Sequence, residues 1–160
     1  MKIFKLLLIL LFCSSVWSSC DKKPEEPEVP PPPVCSLTLS QLAINEVVDV
    51  IKKDTSYATA NNTYYTEHTI SVGEGVSFDF PKIVIPAEGE YTVTKVYTDV
   101  KPTTKYVYIQ YYHAGDVYIA QSGNVTVSGF GIDIVIEFCK LVFRNSGGDE
   151  LTISFKSDLK

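Results

Sequence analysis

A mainly β domain, an antiparallel sandwich or open barrel of about eight or nine short strands, is the fold this 160-residue sequence predicts. Apolar residues recur with a period of two: Val76, Phe78 and Phe80; Tyr91 and Val93; Val125 and Val127; Ile132, Ile134, Ile136 and Phe138; Leu151, Ile153 and Phe155. Such alternation turns one face of each strand to a core and the other to water. Turn signals separate these runs, among them Gly73-Glu74-Gly75, Ala114-Gly115-Asp116, Ser122-Gly123-Asn124, Gly129-Phe130-Gly131 and Asn145-Ser146-Gly147-Gly148-Asp149. Their spacing is that of hairpins. No long helical pattern falls between them.

The domain does not begin at residue 1. Lys2 and Lys5 precede an apolar run from Leu6 to Phe12, and small residues Ser14, Ser15, Ser18 and Ser19 lead to Cys20. Charged, apolar and small segments in that order form a secretory signal, expected to span residues 1–19. Ser18 and Ser19 before Cys20 make the segment resemble a bacterial lipoprotein signal, although Trp17 stands where Leu is usual. The resemblance implies lipidation of Cys20, where several acyl chains together hold a membrane far better than one. The alternative is ordinary secretion with cleavage near Ser19 and a free Cys20. Residues 20–34 then form a tether, with Pro24, Pro27, Pro30, Pro31, Pro32 and Pro33 among Asp21, Lys22, Lys23, Glu25, Glu26 and Glu28. Such a segment has nothing apolar to bury and extends as polyproline, at about 3.1 Å per residue, to on the order of 40 Å. The charges just after Cys20 resemble the surface-export signals of Bacteroidota lipoproteins.

The remaining domain, 35–160, is enough for one core and too small for two. Losing Lys2 and Lys5 with the signal moves the net charge from −5 to −7, which leaves no basic stripe for nucleic acid. The two domain cysteines, Cys35 and Cys139, lie 104 positions apart in a compartment that permits disulfides, so a bridge between them is expected. The alternative is two unconnected thiols.

Taken in order, the first element is ambiguous. At 100° per residue, Leu39, Ala43, Ile44, Val47, Val48, Val50 and Ile51 oppose a polar arc of Gln41, Asn45, Glu46, Asp49, Lys52 and Lys53. Thr38 with Gln41 fits a capping box. A helix over 39–53 packed on the sheet is expected, though Ile44, Val47, Val48, Val50 and Ile51 are β-branched and suit strands better. Next comes a strand carrying Tyr64, His68 and Ile70, and then the alternating Val76–Phe80 run. Pro81 and Pro86 bracket a short strand at an edge. Strands with Tyr91, with Tyr106–Tyr112 and with Val125 follow, then the long Ile132–Phe138 series. The last strand, Leu151–Phe155, could pair at a sheet edge, although Lys156, Asp158 and Lys160 could equally guard it.

Chemistry-bearing groups are few. His68 reads as a strand residue, and His113 stands at a turn beside Asp116. Neither a G-x-S-x-G nucleophile elbow, an HExxH pair, an EF-hand loop nor a phosphate loop is present in the sequence. Asp149 and Glu150 sit at a hairpin tip, and two sulfurs have only His68 and His113 to recruit for a metal. No enzyme activity, catalytic residue, metal or cofactor is expected.

Tyrosine is the unusual component. All 10 fall between Tyr57 and Tyr118. Tyr106, Tyr108 and Tyr112 share one strand face with Gln110, while Val107, Ile109 and Tyr111 take the other. Such a stripe is either an exposed ligand platform for sugars or peptides or an ordinary packed face. Whether Tyr118 joins Tyr111 or the stripe depends on a register the sequence leaves open.

The stretch from Glu90 to Phe143, with Glu90-Tyr91-Thr92-Val93-Thr94, Tyr106–Tyr112 and Tyr118–Val127, resembles the C-terminal half of small β-rich Bacteroidota lipoproteins, families of unknown function. The resemblance implies fold and location and carries no site residue. The expectation is a membrane-anchored lipoprotein at the outer membrane, facing the cell surface, whose domain binds a glycan or protein ligand. A periplasm-facing orientation is the alternative, as is a structural or accessory subunit of an envelope or fimbrial assembly joined through sheet edges.

Overall fold

A computed structural model describes residues 35–59, 62–82, 84–129 and 133–159. The signal, Cys20 and the tether lie outside the described residues, as do Phe130, Gly131 and Ile132. The fold is mainly β, as the alternation predicts, and it is a single sheet of eleven strands. They are β1 (Gln41–Ile44), β2 (Val47–Val50), β3 (Lys53–Ala58), β4 (Thr63–Ser71), β5 (Glu74–Pro81), β6 (Gly89–Thr94), β7 (Tyr106–His113), β8 (Asp116–Ala120), β9 (Asn124–Ser128), β10 (Ile134–Arg144) and β11 (Glu150–Leu159).

The expected helix over 39–53 is a hairpin instead. β1 pairs with β2 so that Ile44 faces Val47 across Asn45 and Glu46, both with positive φ (48° and 70°). A two-residue loop with both φ positive matches the twist of paired strands, and Asn tolerates it well. The β-branched residues prevailed over the helical spacing: Leu42 and Ala43 are buried, whereas all four residues of β2 are exposed. A helix would have had to bury Val47, Val48 and Val50 together. Gln41 still accepts a hydrogen bond from the Thr38 N–H (2.9 Å), so the capping contact forms without the helix.

Two further expectations fail. Lys82 and residues 84–88 form no strand, because two prolines within six residues leave too little ladder to pair. β11 is no edge: β10 pairs it on one side and β1 on the other. The surplus over eight or nine strands comes from the β1–β2 hairpin and β3. One pair, β6 with β7, is parallel, since residues 95–105 cross over through a short 3₁₀ turn at Tyr97–Asp99.

The main strand order is β2-β1-β11-β10-β9-β6-β7-β5-β4-β3. In a flat sheet β5 and β11 would lie five strand spacings apart, about 24 Å at about 4.8 Å each. Yet the rings of Phe78 on β5 and Phe155 on β11 are 5.0 Å apart, and Phe138 on β10 lies 6.1 Å from Phe78. The sheet therefore curls back so that β4 and β5 face β10 and β11. Between these layers lie Phe78, Phe80, Phe143, Phe155, Leu42 and Ile70, all 0–2% exposed.

β10 is long enough to need a correction in phase. Ile134, Ile136 and Phe138 point inward, and a bulge between Phe138 and Leu141 lets Leu141 and Phe143 point inward as well. Lys140 takes φ of 50° there and its N–H is received by Ser154 Oγ (2.9 Å). The same bulge presents Cys139 to Cys35; the two are disulfide-bonded with Cα atoms 5.4 Å apart. The bridge fixes the start of the domain to the longest strand.

Candidate functional site

On β4, β5 and β7 one face belongs to the core: His68, Ile70, Val76, Phe78, Phe80, Val107, Ile109 and Tyr111 are all buried. The alternation that buries them turns another set outward. Ladder neighbours across that outward face run Tyr65–Asp79–Tyr108, Glu67–Ser77–Gln110 and Thr69–Gly75–Tyr112, with Thr55 and Tyr57 of β3 beside Glu67 and Tyr65.

The outward face is tied together by phenols on a carboxylate. Tyr112 on β7 reaches right across β5 to donate its hydroxyl to Glu67 Oε1 on β4. It can do so because Gly75 stands between: a Cβ there would meet the Tyr112 hydroxyl at 2.5 Å and the His68 carbonyl at 2.6 Å. Tyr65 donates to the other oxygen, Oε2, at 3.3 Å, and its ring packs on Tyr57 at 4.8 Å. Burial, aided by Glu67, pushes the Tyr65 phenol up to about 12, and the same two causes raise Tyr112. Both phenols therefore keep their protons at neutral pH. Each Glu67 oxygen retains a second lone pair for an incoming donor.

The sequence-expected platform is distributed over this face as follows. Tyr106 is 41% exposed, Gln110 and Tyr112 are half-buried, and Tyr108 is buried at 8%. Gln110 donates to the Tyr108 hydroxyl (3.3 Å), and Tyr97 from the crossover covers Tyr108 edge-on at 5.6 Å. Tyr118 pairs with Tyr111 on the core side, with ring centroids 5.9 Å apart. Four residues missed in the sequence belong to the face: Tyr57, which is 52% exposed, Tyr65, Glu67 and Asp79. The i, i+2 placement of Tyr65 and Glu67 was the available signal, but only the register joins them to Tyr112.

Asp79 lies at the covered end, buried, with Thr63 donating to it at 3.2 Å. Burial pushes its carboxyl up to about 6 from 3.8, more than the Thr63 bond lowers it. The folded state thus binds this proton more tightly than the unfolded chain. The resulting stability is full below pH 3.8 and is lost as pH rises through about 6. Asp79→Asn should remove the loss and gain on the order of 1–2 kcal/mol at pH 7 relative to pH 4. Glu74 has the opposite slope: burial would raise it, but hydrogen bonds from Tyr111 (2.8 Å) and Ser71 (2.9 Å) and the nearby His113 hold it low. Both proteins share that slope, so denaturant titrations at the two pH values isolate Asp79; parallel curves would contradict the assignment.

Beneath the face, His68 is fully buried. Its Nδ1 meets Asp54 Oδ1 at 2.6 Å and its Nε2 meets Thr66 Oγ1 at 3.1 Å, while Ser56 donates to Thr66 at 3.1 Å. Phe78 and Phe155 stand edge-on to the ring at 5.6 and 4.9 Å. A buried imidazole needs both nitrogens satisfied, and here that need stitches β3 to β4. His113 is exposed and beside Glu74.

Cys35, Glu137 and Cys139 bring ligand-type atoms within 4.8 Å of one another, but the sulfurs are bonded together and Glu137 pairs with Lys156 at 2.9 Å. At the 145–149 tip, Asp149 N–H donates to Asn145 Oδ1 (2.8 Å) and Glu150 pairs with Arg144, so those acceptors serve the turn itself. No described helix is long and apolar enough to cross a membrane. No known family model matches this chain, and no curated protein or solved structure matches it.

Proposed function

We propose that this chain is a lipid-anchored, cell-surface binding module whose outward β3–β4–β5–β7 face takes a neutral glycan. The observation that carries the reading is the Tyr57–Tyr65–Glu67–Tyr112 cluster. Exposed aromatic rings offer a surface for the C–H face of a sugar, and a prearranged carboxylate with Gln110 offers partners for its hydroxyls. Holding those groups beforehand limits the entropy lost on binding. The signal-like segment ending at Cys20 and the proline-rich tether support an anchor with reach. The outer-membrane position is part of the proposal and draws on the charged residues that directly follow Cys20. The domain acts by binding, with no bond made or broken.

Calorimetry against a panel of neutral oligosaccharides tests the reading. Tyr57→Ala and Tyr106→Ala remove exposed rings and should leave the melting temperature nearly unchanged. Tyr57→Ala should weaken the best ligand about tenfold, which corresponds to about 1.4 kcal/mol. Unchanged affinity in both variants would contradict a sugar platform on this face.

A second reading, a subunit of an envelope or fimbrial assembly, draws on β2. That strand is an edge with Val47, Val48 and Val50 exposed. At four residues, with Asp49 among them, it is short and charged in the manner of a guarded edge. The glycan reading is therefore preferred.

A further inference from the structure

Next to the tyrosine face, on the adjoining strand β8, the topology opens a hollow. Two features share the gap between β7 and β10. At one end β6 pairs with β7 and β9 pairs with β10, and β6 and β9 pair with each other. At the other end β8 alone spans the gap, pairing with both β7 and β10. Where the fork divides, the chain passes from β8 to β9 through Gly123, whose carbonyl accepts the Val93 N–H (2.8 Å). Its φ is 121°, and a Cβ there would meet Leu141 at 2.3 Å, so only glycine makes this crossing without displacing Leu141.

Beside that crossing is an open cavity of about 570 Å³. That is within the range of about 300–1,000 Å³ typical of small-ligand sites. Its apolar floor includes Val117 and Ile119 from one face of β8. Lys95 borders it from the end of β6, Arg144 from the end of β10, and Gln121 and Asp116 complete the polar wall. Arg144 is held in place by Glu150, which takes its Nε–H at 2.9 Å and an Nη2–H on the same oxygen. Among the described residues, no ion pair or hydrogen bond occupies the Lys95 ammonium. The Lys95 ammonium is therefore open to an incoming anion.

We propose that this cavity binds a sugar acid, a pyranose bearing one carboxylate. The two branched side chains receive the C–H face of the ring. Lys95 pairs with the carboxylate, the guanidinium of Arg144 adds a directed donor, and Asp116 and Gln121 take the hydroxyls. Glu150 already balances Arg144 and the wall itself carries Asp116, so Lys95 alone is left to pair with one carboxylate and a polyanion would meet repulsion. Val117 and Ile119 are ladder partners of Tyr112 and Gln110, so the cavity continues the outward face onto β8, four strands from Tyr57, and its occupation does not require the Tyr57–Glu67 cluster to bind a sugar.

Calorimetric titration of the full chain with glucuronate, and with glucose as the neutral comparator, tests it. Glucuronate should bind at least about tenfold more tightly than glucose, with an affinity that falls as salt is raised. Lys95→Gln should weaken glucuronate about tenfold and leave glucose unaffected. Val117→Trp, at an exposed floor position, should fill the hollow and abolish binding, while Tyr57→Ala should change nothing. Equal affinity for the two sugars, an unaltered glucuronate affinity in Lys95→Gln, or no heat at millimolar glucuronate would each overturn the proposal.

Discussion

Phe78→Ala should cost the domain about 3–5 kcal/mol, the penalty for emptying a closed aromatic site. Phe78 is 0% exposed and its ring contacts reach both layers: His68 at 5.6 Å, Phe80 at 5.9 Å, Phe138 at 6.1 Å and Phe155 at 5.0 Å. No small shift of one strand can fill the space, because the neighbours belong to β4, β5, β10 and β11. Against the 5–15 kcal/mol typical of a whole domain, roughly a fifth or more of the stability would go. Guanidinium unfolding followed by tyrosine fluorescence would read it as a lower midpoint at unchanged slope. Val84→Ala, at a position 58% exposed, should stay within about 0.5 kcal/mol and serves as the control. A loss under about 1 kcal/mol for Phe78→Ala would mean that the layers do not meet at this ring.

Removing the Cys35–Cys139 bridge should be nearly as damaging. The bond closes a loop of 104 positions, and the chain-entropy account gives such a loop about 4.7 kcal/mol at most, with about 2–4 kcal/mol usual. The destabilisation should appear mainly through a freer unfolded chain, since the bulge at Lys140 and the β10–β11 ladder keep their own hydrogen bonds. The double variant Cys35→Ala/Cys139→Ala and the reduced native protein should therefore unfold at similar, lower denaturant concentrations. Mass spectrometry should record a gain of two hydrogens on reduction. A midpoint indifferent to reductant would contradict the bridge's role.

Local order was legible where one face of a strand is buried and the other wet. Val76, Phe78 and Phe80, and Ile134 to Phe138, announced themselves because burial and a period of two coincide. The stretch 39–53 misled because two four-residue strands and a two-residue turn reproduce the spacing of a helical stripe. Only the positive φ at Asn45 and Glu46 separates the two, and the β-branched run was the better guide. β11 could not be recognised as interior, since its second neighbour, β1, lies more than 100 residues earlier and such pairing leaves no local trace. The tyrosine face was half legible. The Tyr106, Tyr108, Gln110 and Tyr112 stripe was visible, but its meaning depends on Gly75 beneath Tyr112 and on the ladder that brings Glu67 opposite. A glycine read as a turn signal proved to be a clearance for a side chain.

The central claim, an anchored domain presented outside the cell, is tested most directly by protease treatment of intact cells, with a periplasmic protein as internal control. On the proposed anchor the domain should be digested while the control survives, because an extended tether on the order of 40 Å would hold it clear of the membrane. Protection in intact cells that is lost once the outer membrane is broken would contradict surface presentation. It would turn the domain toward the periplasm and remove the basis for glycan capture outside the cell.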